Sequence, residues 1–211
     1  MALNDIVKKD SYTIPTMREI YTATKGSKWL TVIYLKEAYY YIENEERDEG
    51  KTAFELKGRV YEWNGMVMGY KNSPMIMQRT INQIFDGMIG KNIMIYLDDI
   101  IIFDTYINKH KKNIEELIRR FDENNFRVNP TKIQFCLNEV KILGMIINDD
   151  EKVGLSDKKK EIQLKEKPKC IRDLRSILGS VGWFRIFIEN FATKTENLTE
   201  GIEDKKKMEM D

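Results

Sequence analysis

Two adjacent aspartates, Asp98 and Asp99, stand in the stretch IMIYLDDIIIFD, which covers residues 93–104. The flanking runs IMIYL and IIIF are continuously apolar, as in strands that are covered on both faces of a sheet. An ionised carboxylate is costly in such surroundings unless something compensates it. Two explanations follow. Asp98-Asp99 is the tight turn of a β-hairpin, because aspartate tolerates turn geometry, or the pair holds a hard cation such as Mg²⁺ for phosphoryl transfer.

The preceding residues predict the elements that must position this hairpin. Residues 27–35 are rich in β-branched and aromatic side chains, which favours a strand, and the following KEAYYYI favours a turn of helix. Residues 51–63 alternate between apolar and polar side chains, which indicates a half-exposed β-hairpin. A helix with Ser73 as its N-cap and Pro74 in its first position then leads into the quoted stretch.

The residues after the hairpin predict a second helix followed by more strands. The segment HKKNIEELIRRFDENN precedes two β-like segments, FRVNPTKIQF and EVKILGMIIND. Its apolar stripe consists of Ile114, Leu117, Ile118 and Phe121. His110 opens this helix without a second ligand at zinc spacing, so we expect a surface or cap residue and no metal there.

A change in composition predicts a domain boundary. After Lys152 the sequence becomes strongly charged and then gives the apolar helical signal LRSILGSVGWFRIFIENF. We expect a first domain of mixed α and β structure over residues 1–150. Residues 151–211 would form a helical segment with a charged tail.

The composition favours a globular protein and leaves nucleic-acid binding open. The 211 residues are 42% hydrophobic, enough for one large domain or two to three subdomains. The formal net charge is +1, so a polyanion would have to be held by a local basic patch. The two cysteines form no CxxC pair and no apolar span of about 20 residues occurs, which predicts a reduced, intracellular, cytoplasmic protein with no membrane partner.

Several motifs in register carry a family resemblance. They are KTAFELKGRVYEWNGMVMGYKNSPMIMQRTINQIF, then YLDD, NPTKIQF, VKILGMII and LRSILGSVGWFRIFIENFA. Their order and spacing resemble the reverse transcriptase domain of Gypsy-class LTR retrotransposon Pol polyproteins, over nearly the whole chain.

The resemblance implies an α+β right-hand polymerase fold, with an antiparallel palm sheet backed by helices, partial fingers and a thumb. It implies an RNA-directed DNA polymerase that uses Mg²⁺, an RNA or DNA template–primer and deoxynucleotides, in the cytoplasm, an element particle or the nucleus. Residues 1–150 would then be the palm with partial fingers, including a fingers-like hairpin at about residues 42–72. Residues 151–211 would be thumb-like or connection-like. The resemblance also matches Lys132 to a basic residue proposed to assist the pyrophosphate leaving group, and Leu143-Gly144 to the primer grip. The oligomeric state and the host stay open.

Four residues receive site roles from the resemblance. Asp98 matches the catalytic metal ligand, and Asp99 matches a supporting catalytic and metal-binding carboxylate. Tyr39 matches the aromatic gate that excludes a ribose 2′-hydroxyl, and Gln78 matches a glutamine near the incoming nucleotide and the template. Without the resemblance, Tyr39 would be ordinary strand-end packing and Gln78 a solvated helix residue.

The sequence departs from the family at Tyr34. Where the family reads roughly TVIDLKEAYYHI, this chain reads TVIYLKEAYYYI, so a tyrosine replaces the first catalytic aspartate. In a two-metal mechanism that acid bridges both ions together with Asp98, whereas a phenol of pKa about 10 stays neutral at pH 7 and binds Mg²⁺ poorly. Losing several kcal/mol of transition-state stabilisation would lower turnover at least a few hundredfold, since about 1.4 kcal/mol is a factor of ten. Glu37 is the first candidate for a substitute ligand.

A second departure concerns the ends of the chain. It begins at MALND, where the family would already have supplied fingers strands that hold the triphosphate, and it ends before an RNase H domain. We therefore expect a truncated and catalytically impaired reverse transcriptase. The alternative is a non-catalytic module that binds template–primer duplex or a protein partner, and a third outcome is a product without a role.

Overall fold

The structure is a computed structural model that describes residues 2–148, 154–155, 167–182, 184–185 and 188–208. The chain divides into two compact units, Met1–Gly154 and Leu155–Asp211. The boundary that the sequence predicted after residue 150 falls among residues 149–153, outside the described residues. Within the described ranges, no helix combines the length and the apolar character that a membrane span requires.

The first unit alternates helices and strands along the chain. Its α-helices are α1 (Ala2–Ile6), α2 (Met17–Thr24), α3 (Glu46–Glu49), α4 (Ser73–Ile84) and α5 (Ile107–Glu123), and its 3₁₀ turns are Ala38–Tyr41, Gly50–Thr52 and Pro130–Lys132. Its strands are β1 (Trp29–Tyr34), β2 (Phe54–Leu56), β3 (Arg59–Tyr61), β4 (Ile93–Tyr96), β5 (Asp99–Asp104), β6 (Gln134–Leu137), β7 (Glu139–Ile142) and β8 (Met145–Asn148). A short strand β9 (Gly154–Leu155) follows β8 in a small sheet of order β7-β8-β9.

The central sheet brings distant segments together around β1. Its order is β4-β5-β1-β6, and β1 is antiparallel to both β5 and β6. The pairing of β1 with β5 runs from Trp29 opposite Asp104 to Tyr34 opposite Asp99. The strand near residues 29–35 therefore lies beside the hairpin of the two aspartates, which agrees with the antiparallel palm sheet that the resemblance implies.

Both faces of this sheet are covered, as the continuous apolar runs predicted. On β5, Ile100 and Ile102 belong to a core cluster that includes Met77 and Ile81 of α4 and Leu117 of α5. Ile101 and Phe103 point to the other face and belong to a second cluster, with Ile20 of α2 and Val140, Ile142 and Ile147 of the β7–β8 hairpin. Burying each such side chain contributes about 1.5–3 kcal/mol to the stability of the fold. Packing on both faces therefore holds the strands, and the residues at their ends, in place.

The mixed helices and antiparallel strands confirm the expected α+β class. The hairpin expected over residues 51–63 is also present as β2 and β3, joined by Lys57 and Gly58 with positive φ of 53° and 75°. Only part of the β-like segment FRVNPTKIQF is a strand. β6 begins at Gln134, and before it Val128 forms an isolated bridge to Leu35.

Several local expectations are corrected by the structure. The N-cap of α4 is Asn72, and Ser73 is the first helical residue, whose hydroxyl donates to the Val67 carbonyl at 2.9 Å. On α5, Ile118 is 49% exposed, whereas Ile114, Leu117 and Phe121 are buried. The buried stripe is therefore narrower than the periodicity predicted.

The second unit is helical where it is described. It contains α6 (Ile171–Gly182) and α7 (Phe191–Met208), which contact each other. Phe184 in the connection is buried, and the guanidinium of Arg185 lies 5.7 Å from the centre of the Phe191 ring.

Candidate active site

The β4–β5 hairpin carries the two aspartates at its tip. The turn consists of Leu97 and Asp98, and Asp99 is the first residue of β5, so the sequence-based placement of the turn was one residue too far along. Leu97 has a positive φ of 56°, which an ordinary side chain rarely adopts. The backbone N–H of Leu35 donates to the Asp98 carbonyl at 3.0 Å, which ties the tip to the end of β1.

The two carboxylates repel each other in a partly buried setting. Burial and the negative charge of Asp98 together raise the pKa of Asp99 to about 6, and the positive charge of Lys132 acts in the opposite direction. A nearby cation would therefore stabilise the ionised form of these carboxylates.

Lys132 reaches this site because the NPTK segment is anchored to β1. The backbone N–H of Asn129 donates to the Tyr34 carbonyl at 2.8 Å, and the Asn129 side chain accepts from the N–H of Thr131 at 3.2 Å. These bonds hold the 3₁₀ turn Pro130–Lys132 at the end of β1, from where the positive charge of Lys132 acts on Asp99. The structure thus brings Lys132 to the acids, as the resemblance implied for its position.

Tyr39 lies on the 3₁₀ turn that follows β1 and is half-buried. Burial raises the pKa of the Tyr39 hydroxyl, and the charge of Asp98 raises it further, which places the ring beside the first aspartate. Tyr39 also packs against the core cluster formed with α4 and α5. Tyr39 therefore lies between the core and the site of the two aspartates.

Gln78 supports the hairpin tip from α4. It is 1% exposed, so it is not a solvated helix residue. Its side-chain oxygen accepts from the N–H of Leu97 at 2.8 Å, and its Nε2 donates to the Ile95 carbonyl at 3.0 Å and to Oδ1 of Asn82 at 2.9 Å. These bonds hold the strained turn that presents Asp98.

Tyr34 faces Asp99 directly across the β1–β5 pair. Burial raises the pKa of its phenol, the charge of Asp99 adds to this, and a hydrogen bond from Gln134 acts in the opposite direction. The phenol is therefore neutral at physiological pH. Its hydroxyl donates to the Lys141 carbonyl at 3.2 Å, and Gln134 bridges the same groups. Sequence reasoning gave Gln134 no role although it lies in the NPTKIQF motif, because its partner Tyr34 is 100 residues away in the chain.

The donor set suits one hard cation better than two. Mg²⁺ is commonly held by one or two carboxylates together with substrate phosphates, which Asp98 and Asp99 could satisfy. Among the described residues, no group of three or more His, Cys, Asp or Glu side chains is placed to share a metal ion. Glu37 is exposed and is not part of such a group.

His110 is not at the surface, and that prediction was wrong. It is fully buried, with Nδ1 3.0 Å from Oδ2 of Asp104 and Nε2 2.8 Å from the Thr31 hydroxyl. The Thr31 hydroxyl oxygen also accepts from the N–H of Cys136 at 2.9 Å, and Asn113 donates to Asp104. This network joins α5, β1, β5 and β6 far from the hairpin tip, so it supports the sheet.

Comparisons with known proteins agree with this geometry. Residues 1–147 match the family described as reverse transcriptase (RNA-dependent DNA polymerase). The chain is 31% identical over 198 residues to the retrovirus-related Pol polyprotein from transposon gypsy of Drosophila melanogaster, covering 94% of this chain and 19% of the relative. It is 32% identical over 207 residues to the one from transposon 297 of the same organism, covering 98% and 20%. The chain thus spans about a fifth of the length of these relatives.

Solved structures resemble nearly the whole chain. One is the foamy viral protease-reverse transcriptase in complex with RNA/DNA hybrid, with a TM-score of 0.83 and 25% identity, covering 96% of this chain and 27% of that one. Another is the foamy viral protease-reverse transcriptase dRH in complex with double-stranded DNA, with a TM-score of 0.87 and 25% identity, covering 96% and 36%. The resemblance to Gypsy-class Pol proteins is confirmed, and the chain belongs to the reverse transcriptase (RNA-dependent DNA polymerase) family.

Proposed function

We propose that this chain is a reverse transcriptase domain of a retrotransposon Pol polyprotein that holds template–primer beside Asp98 and Asp99 and is impaired in DNA synthesis. The observation that carries the proposal is the pairing of β1 with β5, which puts a neutral phenol, Tyr34, opposite Asp99. A carboxylate at Tyr34 would complete a three-acid group at this edge of the sheet. With tyrosine there, two acids remain.

The proposed cofactor is a divalent cation, with Mg²⁺ the first choice. Asp98 and Asp99 would hold it, and the bound ion would supply charge stabilisation during phosphoryl transfer. Because the pKa of Asp99 is about 6, binding at lower pH must displace a proton and becomes weaker. Without a third acid, we expect the affinity for a second ion to be low.

The nucleotide side of the site is proposed to involve Tyr39 and Gln78. Tyr39 stands beside Asp98 with a half-exposed ring, which suits a contact with the sugar of a deoxynucleotide. The side-chain amide of Gln78 already makes hydrogen bonds to protein groups. We therefore propose that Gln78 acts by fixing the Leu97 turn beneath the nucleotide. A deoxynucleotide and an RNA or DNA template–primer are the proposed substrates.

The two parts of the chain are proposed to divide the binding task. Residues 1–150 would form the palm with partial fingers, and residues 151–211 would form a thumb-like or connection-like segment. The foamy viral structures that resemble this chain hold an RNA/DNA hybrid and double-stranded DNA, and this supports duplex binding as the shared property. The intracellular location expected from the composition remains a prediction.

Duplex binding is tested by fluorescence anisotropy with a labelled primer–template. We expect modest affinity that falls steeply with salt, because binding would depend on phosphate contacts rather than on base readout. Absence of binding at low ionic strength, or an affinity that does not change with salt concentration, would contradict the proposal.

Catalytic impairment is tested by primer extension with Mg²⁺. The unmodified chain should give no detectable product, and Tyr34→Asp should raise metal affinity more than synthesis. Tyr34→Asn serves as the matched control, because it removes the phenol without adding a charge. Robust extension by the unmodified chain would overturn the impairment, and a further Asp98→Asn substitution would then identify the reacting site.

The second candidate function is binding without synthesis. The same two-acid site favours it, because a palm can position duplex through backbone and basic groups while lacking the metal pair. The two functions separate when Tyr34→Asp is assayed for extension. A gain in synthesis indicates an impaired polymerase, whereas unchanged binding with no synthesis indicates a binding module.

A further inference from the structure

The phenol of Tyr34 makes a contact that a catalytic aspartate could not make. Its hydroxyl donates to the backbone carbonyl of Lys141, in β7, at 3.2 Å. An ionised carboxylate is an acceptor without a proton to donate, and a carbonyl oxygen is also an acceptor. Aspartate at residue 34 would therefore repel this carbonyl, and its side chain is also shorter.

Gln134 completes the connection. Its Nε2 donates to the Lys141 carbonyl at 2.6 Å and to the Tyr34 hydroxyl at 3.4 Å, and its Oε1 accepts from the Lys141 N–H at 2.7 Å. Both backbone groups of Lys141 are thus engaged by side chains from the central sheet. Tyr34 lies on β1 and Gln134 on β6, so two neighbouring strands reach the same residue of β7.

From these contacts we propose that Tyr34 fastens the β7–β8 hairpin to the edge of the sheet that carries the aspartates. Tyrosine thereby gives residue 34 a structural role in place of the metal-binding role of the family's aspartate. Apolar packing of Val140, Ile142 and Ile147 holds the hairpin against the face of the sheet, but such packing is not directional. The hydrogen bonds to Lys141 set where the hairpin lies along the edge.

The consequence concerns the turn at the end of the hairpin. Leu143 and Gly144 form it with positive φ of 50° and 79°, two residues beyond Lys141. Fastening Lys141 therefore limits the movement of this turn relative to Asp99. The fastening itself does not depend on the proposed nucleic-acid function and is measurable in the free chain, so failure of one does not imply failure of the other.

Hydrogen exchange of the full chain tests the proposal. Tyr34→Phe removes the hydroxyl and keeps the ring, and we expect the amides of β7 and β8 to exchange about three- to tenfold faster. The amides of β4 and β5 should keep their rates. Tyr106→Phe is the matched control, since the Tyr106 side chain is 73% exposed, and it should leave every segment unchanged.

Two results would overturn the fastening role. One is unchanged exchange of β7 and β8 in Tyr34→Phe. The other is an equal acceleration in β4 and β5, which would mean general destabilisation. Gln134→Leu is a second variant that removes both glutamine contacts and should accelerate the same amides more strongly. If Gln134→Leu opens the hairpin while Tyr34→Phe does not, the glutamine alone fastens it and the proposal for Tyr34 is wrong.

Discussion

The side-chain oxygen of Gln78 accepts a 2.8 Å hydrogen bond from the backbone N–H of Leu97, the residue whose φ is positive immediately before Asp98. The same amide donates to the Ile95 carbonyl at 3.0 Å. A single buried side chain on α4 therefore satisfies two backbone groups of the β4–β5 hairpin. Buried backbone groups that lose their partners each cost about 1–3 kcal/mol.

Replacing Gln78 by methionine should destabilise the chain markedly. The substitution keeps the volume but leaves the Leu97 N–H and the Ile95 carbonyl without their partner, so we expect a loss of about 2–3 kcal/mol in the free energy of unfolding. Urea denaturation followed by circular dichroism measures this loss. Gln83→Met on the exposed face of the same helix is the control and should stay within about 0.5 kcal/mol. Equal stabilities of the two variants would rule out the supporting role.

The carboxyl group of Asp99 should titrate far from its ordinary pKa of 3.8. Its pKa of about 6 arises from burial and from the charge of Asp98, with Lys132 acting against both. A ¹³C NMR titration should therefore find a midpoint near 6. Lys132→Met should move the midpoint upward, whereas Lys91→Met, beyond the opposite end of the hairpin, should not move it. A midpoint near 3.8 would show that water screens the pair fully.

The same shift predicts how stability depends on pH. The folded chain holds the Asp99 proton more tightly than the unfolded chain between pH 3.8 and about 6. The stabilising contribution is fully present below pH 3.8 and is lost as the pH rises through about 6. Asp99→Asn should therefore raise the melting temperature at pH 7.5 and change it little near pH 3.5. A larger gain at the acidic pH would contradict the sign.

The sequence was sufficient to predict the central elements of the site. Continuous apolar runs on both sides of Asp98-Asp99 predicted a hairpin covered on two faces, and the expectation that it lies beside β1 came from the family resemblance. The position of the turn was wrong by one residue, because Leu97 adopts a positive φ that its residue type does not favour. That conformation depends on Gln78, which lies on another element.

Contacts between residues that are far apart in the sequence could not be predicted from it. Tyr34 and Lys141 lie 107 residues apart, and neither has a pattern that indicates the other. His110 was expected to be a surface or cap residue because it opens a helix and has no second ligand at zinc spacing. Its burial follows from partners on β1 and β5, Thr31 and Asp104, which the tertiary fold supplies.

The buried network around His110 should depend on the hydroxyl of Thr31. Thr31→Val keeps the shape but leaves the Cys136 N–H and Nε2 of His110 without a partner, so we expect a loss of about 2 kcal/mol in the free energy of unfolding. Thr31→Ser should recover most of this loss. The exposed Thr105→Val is the control. If valine and serine are equally stable at residue 31, the hydroxyl contributes nothing.

Substituting Tyr34 by aspartate should lower the stability of the metal-free chain and raise its affinity for a divalent cation. Without metal at pH 7.5, Tyr34→Asp should melt below the unmodified chain, because a third carboxylate joins Asp98 and Asp99 and the bond to Lys141 is lost. Adding MgCl₂ or MnCl₂ to about ten times the dissociation constant should then stabilise it by about 1.4 kcal/mol, or about 3–6 °C. The unmodified chain should respond much less. Tyr34→Asn loses the same hydrogen bond without gaining a charge, so an equal metal response in Tyr34→Asn and Tyr34→Asp would show that residue 34 does not take part in a metal site.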